Sequence, residues 1–229
     1  MRRSVGGCVG LLALQLMVGA AAAADVIPRY QPVPPAPAYG VAVLAPPYWT
    51  GFYLGINGGG GWGRSQWDGV DTFAVSGGLI GGTIGYNWQL GPRWGWVLGV
   101  EGDVDWSGIG GTTTVLCPLG CQTRNHWLAT ARGRVGFAWD WVLPYVTAGL
   151  AAGDISAATV ALPGGSTTAT GWTAGAGVEF GVWRHVSVKA EYLFETLSSF
   201  NCGFNCGLAA GGNVSFYANV FRGGLNVRF

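Results

Sequence analysis

The sequence predicts an all-β protein, an eight-stranded antiparallel transmembrane β-barrel. Three observations predict it: charges that keep one parity within each segment, connections that alternate between short and long, and tryptophans gathered at segment ends. The charges between Trp94 and Phe229 are Glu101, Asp103 and Asp105, then Arg132 and Arg134, Glu179, Lys189 and Glu191, and finally Arg222 and Arg228. The alternate positions are apolar almost throughout, as in Trp96, Leu98, Val100, Val104 and Trp106, or Val186, Val188, Ala190, Tyr192 and Phe194. Successive side chains of a strand point to opposite faces, so one face of each strand is oily and the other holds the charges. A soluble sheet would pack the oily face on a core; the rest of the chain places it against lipid.

The amino terminus sets the compartment. Arg2 and Arg3 precede a largely apolar run from Val5 to Val18, and the small residues Gly19 to Ala24 precede Asp25. That is the layout of a secretory signal peptide over residues 1–24, cut after Ala24. The run falls short of the roughly 20 residues a spanning helix needs, which argues against an uncleaved anchor. Cys8 precedes the apolar run instead of ending it, which argues against a lipoprotein.

Residues 25–48 form a proline-rich linker: seven of the eleven prolines fall between 28 and 48. Proline at this density favours an extended chain without a core, so the segment reads as a periplasmic tether, with cell-wall binding as the alternative. Residues 49–229 are the barrel. Glycine contributes 42 of 229 residues and charged residues only 10%, yet no later apolar run is long enough for a spanning helix. A closed barrel is the structure that crosses a membrane without helices, because every backbone N–H and C=O then pairs between strands. The formal net charge of +1 and the absence of a basic patch interleaved with aromatics exclude a nucleic-acid partner.

The predicted strands run near 49–61, 75–89, 94–106, 127–139, 143–153, 172–183, 186–195 and 213–229. Tight turns fall at Leu90 to Arg93, Asp140-Trp141 and Arg184-His185, whereas 62–74, 107–126, 154–171 and 196–212 read as long loops rich in Gly, Ser, Thr and Asn. Short turns on one side and long loops on the other are the pattern of outer-membrane barrels, with turns periplasmic and loops extracellular. Trp49, Trp88, Trp94, Trp96, Trp139, Trp141 and Trp183 lie toward the turns; Trp62, Trp106, Trp127 and Trp172 lie toward the loops. Two such sets read as the two aromatic girdles of a barrel, with Trp67 alone in a loop.

The segment Trp49-Thr-Gly-Phe-Tyr-Leu-Gly-Ile-Asn-Gly-Gly, the later Gly85-Tyr-Asn-Trp-Gln, the run Arg132-Gly-Arg-Val-Gly-Phe followed by Leu143-Pro-Tyr-Val, and the terminal Phe229 together resemble the small outer-membrane β-barrel proteins of alphaproteobacteria, of the porin-family or surface-antigen type. The resemblance covers 49–229 and implies an OmpA/OmpX-like barrel in the outer membrane of a Gram-negative cell. It also implies an assembly signal, Phe221, Leu225, Val227 and Phe229, read by the barrel assembly machinery. The family includes structural barrels, immunogens and haem-binding members. Asn219 is the polar residue on the lipid-facing parity and is expected near the outer interface.

Eight strands leave an interior just wide enough to be filled by side chains. Five basic residues (Arg132, Arg134, Lys189, Arg222, Arg228) and five acidic ones (Glu101, Asp103, Asp105, Glu179, Glu191) share the inward parity, with Glu195 near the rim. The balance predicts ion pairs across the lumen, with inward glycines such as Gly85 and Gly177 making room for long side chains. Cys117 and Cys121 fall in one long loop, Cys202 and Cys206 in another; two local disulfides are the simplest reading in an oxidising compartment. Links between the two loops, or a zinc site with His126, are the alternatives. No cofactor or catalytic set is expected, since His126 and His185 are the only histidines and nothing in sequence orders a serine beside either. The expected function is a non-enzymatic structural and surface protein with a plugged lumen, in contact with outer-membrane lipids and lipopolysaccharide. A narrow passive porin, or a surface receptor for haem or a host ligand carried by the loops, are the alternatives.

Overall fold

Alternation of apolar and polar residues drives nearly every segment into strand. The computed structural model describes residues 48–67, 71–91, 94–114, 120–159, 162–201 and 213–229, all within one compact unit, Ala42–Phe229. The signal peptide and the linker up to residue 47 lie outside the described residues, as do Cys117, Cys202 and Cys206. The strands are β1 (Gly51–Trp67), β2 (Asp71–Leu90), β3 (Trp94–Ser107), β4 (Gly110–Thr113), β5 (Cys121–Arg124), β6 (Trp127–Trp139), β7 (Val142–Thr159), β8 (Leu162–Trp183), β9 (Val186–Asn201) and β10 (Asn213–Arg228).

Each strand pairs antiparallel with its neighbours, and β1 closes the cylinder on β10 from Tyr53↔Arg228 to Trp67↔Val214. Going round, the order is β1, β2, β3, β6, β7, β8, β9, β10. The short β4 and β5 pair with each other and fit between β2 and β7. They continue the third and fourth staves past two breaks, at Gly108-Ile109 and Asn125-His126, so the barrel has eight staves. Backbone bonds stitch the breaks: Ser107 N–H donates to His126 O at 2.8 Å, and Asn125 N–H to Ile109 O at 2.8 Å. At the opposite end the two-residue turn Asp140-Trp141 places Asp140 at φ 50°, in the left-handed region that tight hairpins require.

The loop end differs from expectation. Stretches read as loops are strand: β1 runs to Trp67, β2 starts at Asp71, β7 reaches Thr159, β8 starts at Leu162 and β9 reaches Asn201. The reason is a reversal of pattern. Over the lower part of the barrel the outward face is oily and the inward face polar, as in Leu98 and Val100 outside against Glu101 and Asp103 inside. Toward the loop end the inward face is apolar, with Phe73, Val75, Leu79, Ile155, Leu193, Leu197, Val214 and Phe216 buried together, while Thr72, Ser76, Thr168 and Ser198 face out. That upper section is patterned like a soluble barrel.

Two tryptophans also depart from the girdle reading. Trp49 is completely buried with Val97, Ala138 and Leu143, closing the turn end of the lumen from inside. Trp67, read as a loop residue, ends β1 and donates to Thr123 Oγ1 at 3.0 Å inside the upper core. Eight others, Trp62, Trp88, Trp94, Trp96, Trp106, Trp139, Trp172 and Trp183, are at least half exposed in two bands around the outer wall.

Candidate functional site: the lumen network

The inward positions of five staves carry the charged side chains, and burial forces them together, since a charge taken from water without a partner costs far more than a paired one. Arg132 of β6 lies at the centre. Its Nη1 is 2.9 Å from Glu191 Oε1, its Nη2 is 2.6 Å from Asp103 Oδ2, and it also contacts Glu101. Arg222 of β10 reaches Asp105 at 2.8 Å, Glu191 at 2.9 Å and Asp103 at 3.0 Å. Lys189 Nζ is 3.0 Å from Glu101 Oε1. Nearer the turns, Arg134 pairs with Glu179 at 2.7 Å and Glu101 at 3.4 Å, and Arg228 approaches Glu179 at 3.6 Å. All ten charged residues named from the sequence therefore meet in one cross-lumen set. Glu195, in contrast, is buried above it between Leu193 and Leu197, and its Oε2 has no hydrogen-bond partner among the described residues.

Uncharged residues that the parity argument passed over complete the network. Tyr53 donates to Glu101 Oε2 at 2.7 Å and Tyr145 to Glu191 Oε1 at 3.1 Å, while the Arg134 guanidinium lies 4.1 Å from the Tyr145 ring centre. Thr83 and Thr130 donate to Asp103 at 2.7 and 2.9 Å. With these, all eight staves contribute. The rings fit because glycines stand opposite them: Tyr53 pairs with Gly85 and Tyr145 with Gly177, where an added Cβ would lie 2.4 and 2.6 Å from the ring or its hydroxyl. The signal that would have found both tyrosines is an inward-parity aromatic facing a glycine, which requires the register.

Two layers bound this set. The apolar cluster of the upper barrel lies over it, and Trp49 lies beneath it. Trp49 is pinned by its indole N–H to Asp140 O at 3.3 Å, by its backbone N–H to Gln89 Oε1 at 2.7 Å, and by Arg228 stacked 4.6 Å from its ring.

Outside the lumen, Phe221, Leu225, Val227 and Phe229 all face outward and are exposed. Asn219 accepts from Tyr192 Oη at 2.6 Å and donates to Trp62 O, in the band of the loop-end tryptophans. Cys121 is disulfide-bonded and buried in the upper core. A disulfide sulfur is no thiolate ligand, so Cys121 as it stands does not fit the zinc alternative.

His126 sits at the break beside β6, with Nδ1 2.6 Å from Asp154 Oδ2. Asp154 also accepts from the backbone N–H groups of His126 at 2.6 Å and Trp127 at 3.0 Å. Partial burial alone would raise the Asp154 carboxyl, but these hydrogen bonds outweigh it and hold the carboxyl below its ordinary value.

The outer membrane protein beta-barrel domain family matches residues 33–229. The chain is 33% identical to the 31 kDa outer-membrane immunogenic protein of Brucella melitensis, over 79% of this chain and 84% of that protein. It is also 33% identical to the 22 kDa outer membrane protein of Rhizobium leguminosarum, over 79% and 78% respectively. Among solved structures, Ail of Yersinia pestis is similar at 16% identity and a TM-score of 0.45, over 79% of this chain and 99% of its own. The match over most of the barrel, together with the relatives in outer membranes, makes this chain a member of the outer membrane protein β-barrel family.

Proposed function

We propose that the protein is a closed, non-enzymatic outer-membrane barrel with a structural and surface role. The observation that carries this reading is the filling of the lumen by three layers in series: an apolar core at the loop end, a cross-lumen ion-pair set in the middle, and Trp49 at the turn end. In this reading the short turns and both termini of the barrel face the periplasm, and the connections at the loop end stand outside the cell on the protruding upper section. The names of the relatives as immunogenic proteins support surface exposure. The exposed, alternating Phe221, Leu225, Val227 and Phe229 support recognition of the last strand by the barrel assembly machinery. Cys121 is disulfide-bonded, and in this reading its partner is Cys117, four residues away, with Cys202 paired to Cys206 in the same way.

Planar-bilayer recording of the full protein tests the closed lumen. No stable conductance is expected. A steady, ohmic open channel would replace this reading with the narrow passive pore.

A further inference from the structure

The buried charges of the lumen do not balance. Among the described residues six acids are buried there against five bases. The cross-lumen set accounts for five of each, which leaves Glu195. It stands on β9, 3% exposed, between Leu193 and Leu197 of the apolar core. None of the ion pairs of the lumen includes it, and its Oε2 has no hydrogen-bond partner among the described residues. The residues paired with it across the sheet are Thr173 of β8 and Ala218 of β10. Thr173 is fully buried too, and its hydroxyl is likewise without a partner among the described residues.

The charged groups that act on Glu195 are Arg222 of β10, Asp105 and Asp103 of β3, and Arg132 of β6. On β9 itself Lys189 and Glu191 lie lower in the ion-pair set, on β8 Glu179 lies nearer the turns, and β1, β2 and β7 carry no buried charge among the described residues. Both guanidinium groups are already committed. Arg222 is held by Asp105, Glu191 and Asp103, and Arg132 by Glu191, Asp103 and Glu101. A carboxylate left in an apolar layer without a partner is the costliest state this group has, so something else must cancel its charge. A metal ion lacks a ligand set. No group of three or more His, Cys, Asp or Glu side chains among the described residues is placed to hold one, and Asp105 projects from the stave opposite β9, the third and the seventh of the eight. A proton asks for less: a protonated carboxyl is a donor, and the Thr173 hydroxyl paired across from it is a free acceptor.

We infer that Glu195 binds one proton in the folded barrel, and that this proton is the counter-charge that keeps the loop-end seal dry. The inference rests on the closed lumen, since water in the bore would solvate a carboxylate at that level. The two still fail separately: a barrel that passes no current and holds no such proton overturns only this inference.

The test is infrared spectroscopy of the full protein in lipid vesicles at neutral pH. A carbonyl stretch of a protonated carboxylic acid is expected in the parent and should be absent from Glu195→Gln and Glu195→Leu. Leucine matches the neighbours Leu193 and Leu197, so it serves if the glutamine variant does not fold, and the parent spectrum decides on its own if neither does. Unfolding by urea in the same vesicles gives a second readout. A glutamate of the unfolded chain has released its proton above about pH 4.3, so above that value the folded barrel binds one proton more than the unfolded chain. The ratio of folded to unfolded protein should then fall about tenfold per pH unit as pH rises, until the folded barrel releases the proton as well. Both variants should lack this slope, and replacing sodium by choline should leave it unchanged in the parent. A parent without the carbonyl band, a band that survives in both variants, or a slope that they share with the parent would overturn the proposal. Stability set by sodium instead of pH would overturn it in favour of a bound metal cation.

Discussion

Arg132 illustrates how individual residues carry the fold. Its side chain is completely buried, and it holds carboxylates of β3 and β9 from β6, so it ties non-adjacent staves across the lumen. A buried ion pair need not add stability over an apolar pair, but removing one partner strands the others without compensation. Arg132→Ala should therefore destabilise the barrel by about 3 to 5 kcal/mol, measured by urea unfolding in lipid vesicles. A loss below about 1 kcal/mol, the scale of an exposed pair, would mean that water enters the network and solvates what remains. Asp154 gives the pH counterpart. Its carboxyl is held below its ordinary value of about 4 in the folded state, so its contribution is complete above that value and is lost as pH falls through the lowered one. Protection of the His126 and Trp127 amides, whose N–H groups it accepts, relative to their intrinsic exchange rates should fall selectively in that acid range, and Asp154→Asn should show a protection with much less dependence on pH.

At the scale of the element, the period of two was legible between the tryptophan bands, while the strand beyond the loop-end band was not. Parity placed Glu101, Arg132 and Lys189 inside and Leu98, Val135 and Val188 outside, because a charge on a lipid face is too costly to hide. The same rule stopped each strand where the outward oil ended. Above the tryptophan band, water replaces lipid outside and the preference inverts: Phe73 and Val75 turn in while Thr72 and Ser76 turn out. Alternation persists through that change but its sign flips, so a reader looking for one sign sees a loop. Trp49 was misassigned for a related reason, since a tryptophan near a strand end suits either the headgroup boundary or a closed mouth, and only the tertiary contacts with Val97 and Leu143 distinguish them. Tyr53 and Tyr145 needed cross-strand register. Substitution can locate the level at which the sign changes. Val100→Arg, between the Trp96 and Trp106 bands on the outer face of β3, should cost about 2 to 4 kcal/mol, whereas Ser76→Lys on the protruding section should cost close to nothing. Comparable losses at both sites, by folding into vesicles, would place Ser76 in lipid and deny the protruding barrel.

At the scale of the molecule, the three lumen layers act in series, and a series of barriers conducts no better than its tightest member. The layers resist ions for different reasons. The apolar core excludes water by packing, the ion-pair set fills the bore with charges already committed to one another, and Trp49 blocks the turn end with a ring held by Asp140 O and Arg228 and a backbone N–H held by Gln89. Trp49→Ala removes a large buried ring, a change that costs about 3 to 5 kcal/mol in a packed core. Here, however, the cavity opens toward the turn-end solvent, and the loss should sit at the low end of that range. It should also free Arg228 from its stacking partner while leaving Arg132 and Arg222 in place, since neither touches Trp49. The expected outcome is an asymmetric one: a small water-soluble thiol reagent added from the turn side should label a cysteine placed at Asn226 in the Trp49→Ala background but not in the parent, yet planar-bilayer current should stay at baseline in both. Current appearing with Trp49→Ala alone would show that the upper two layers do not seal, and that this single ring holds the barrel shut.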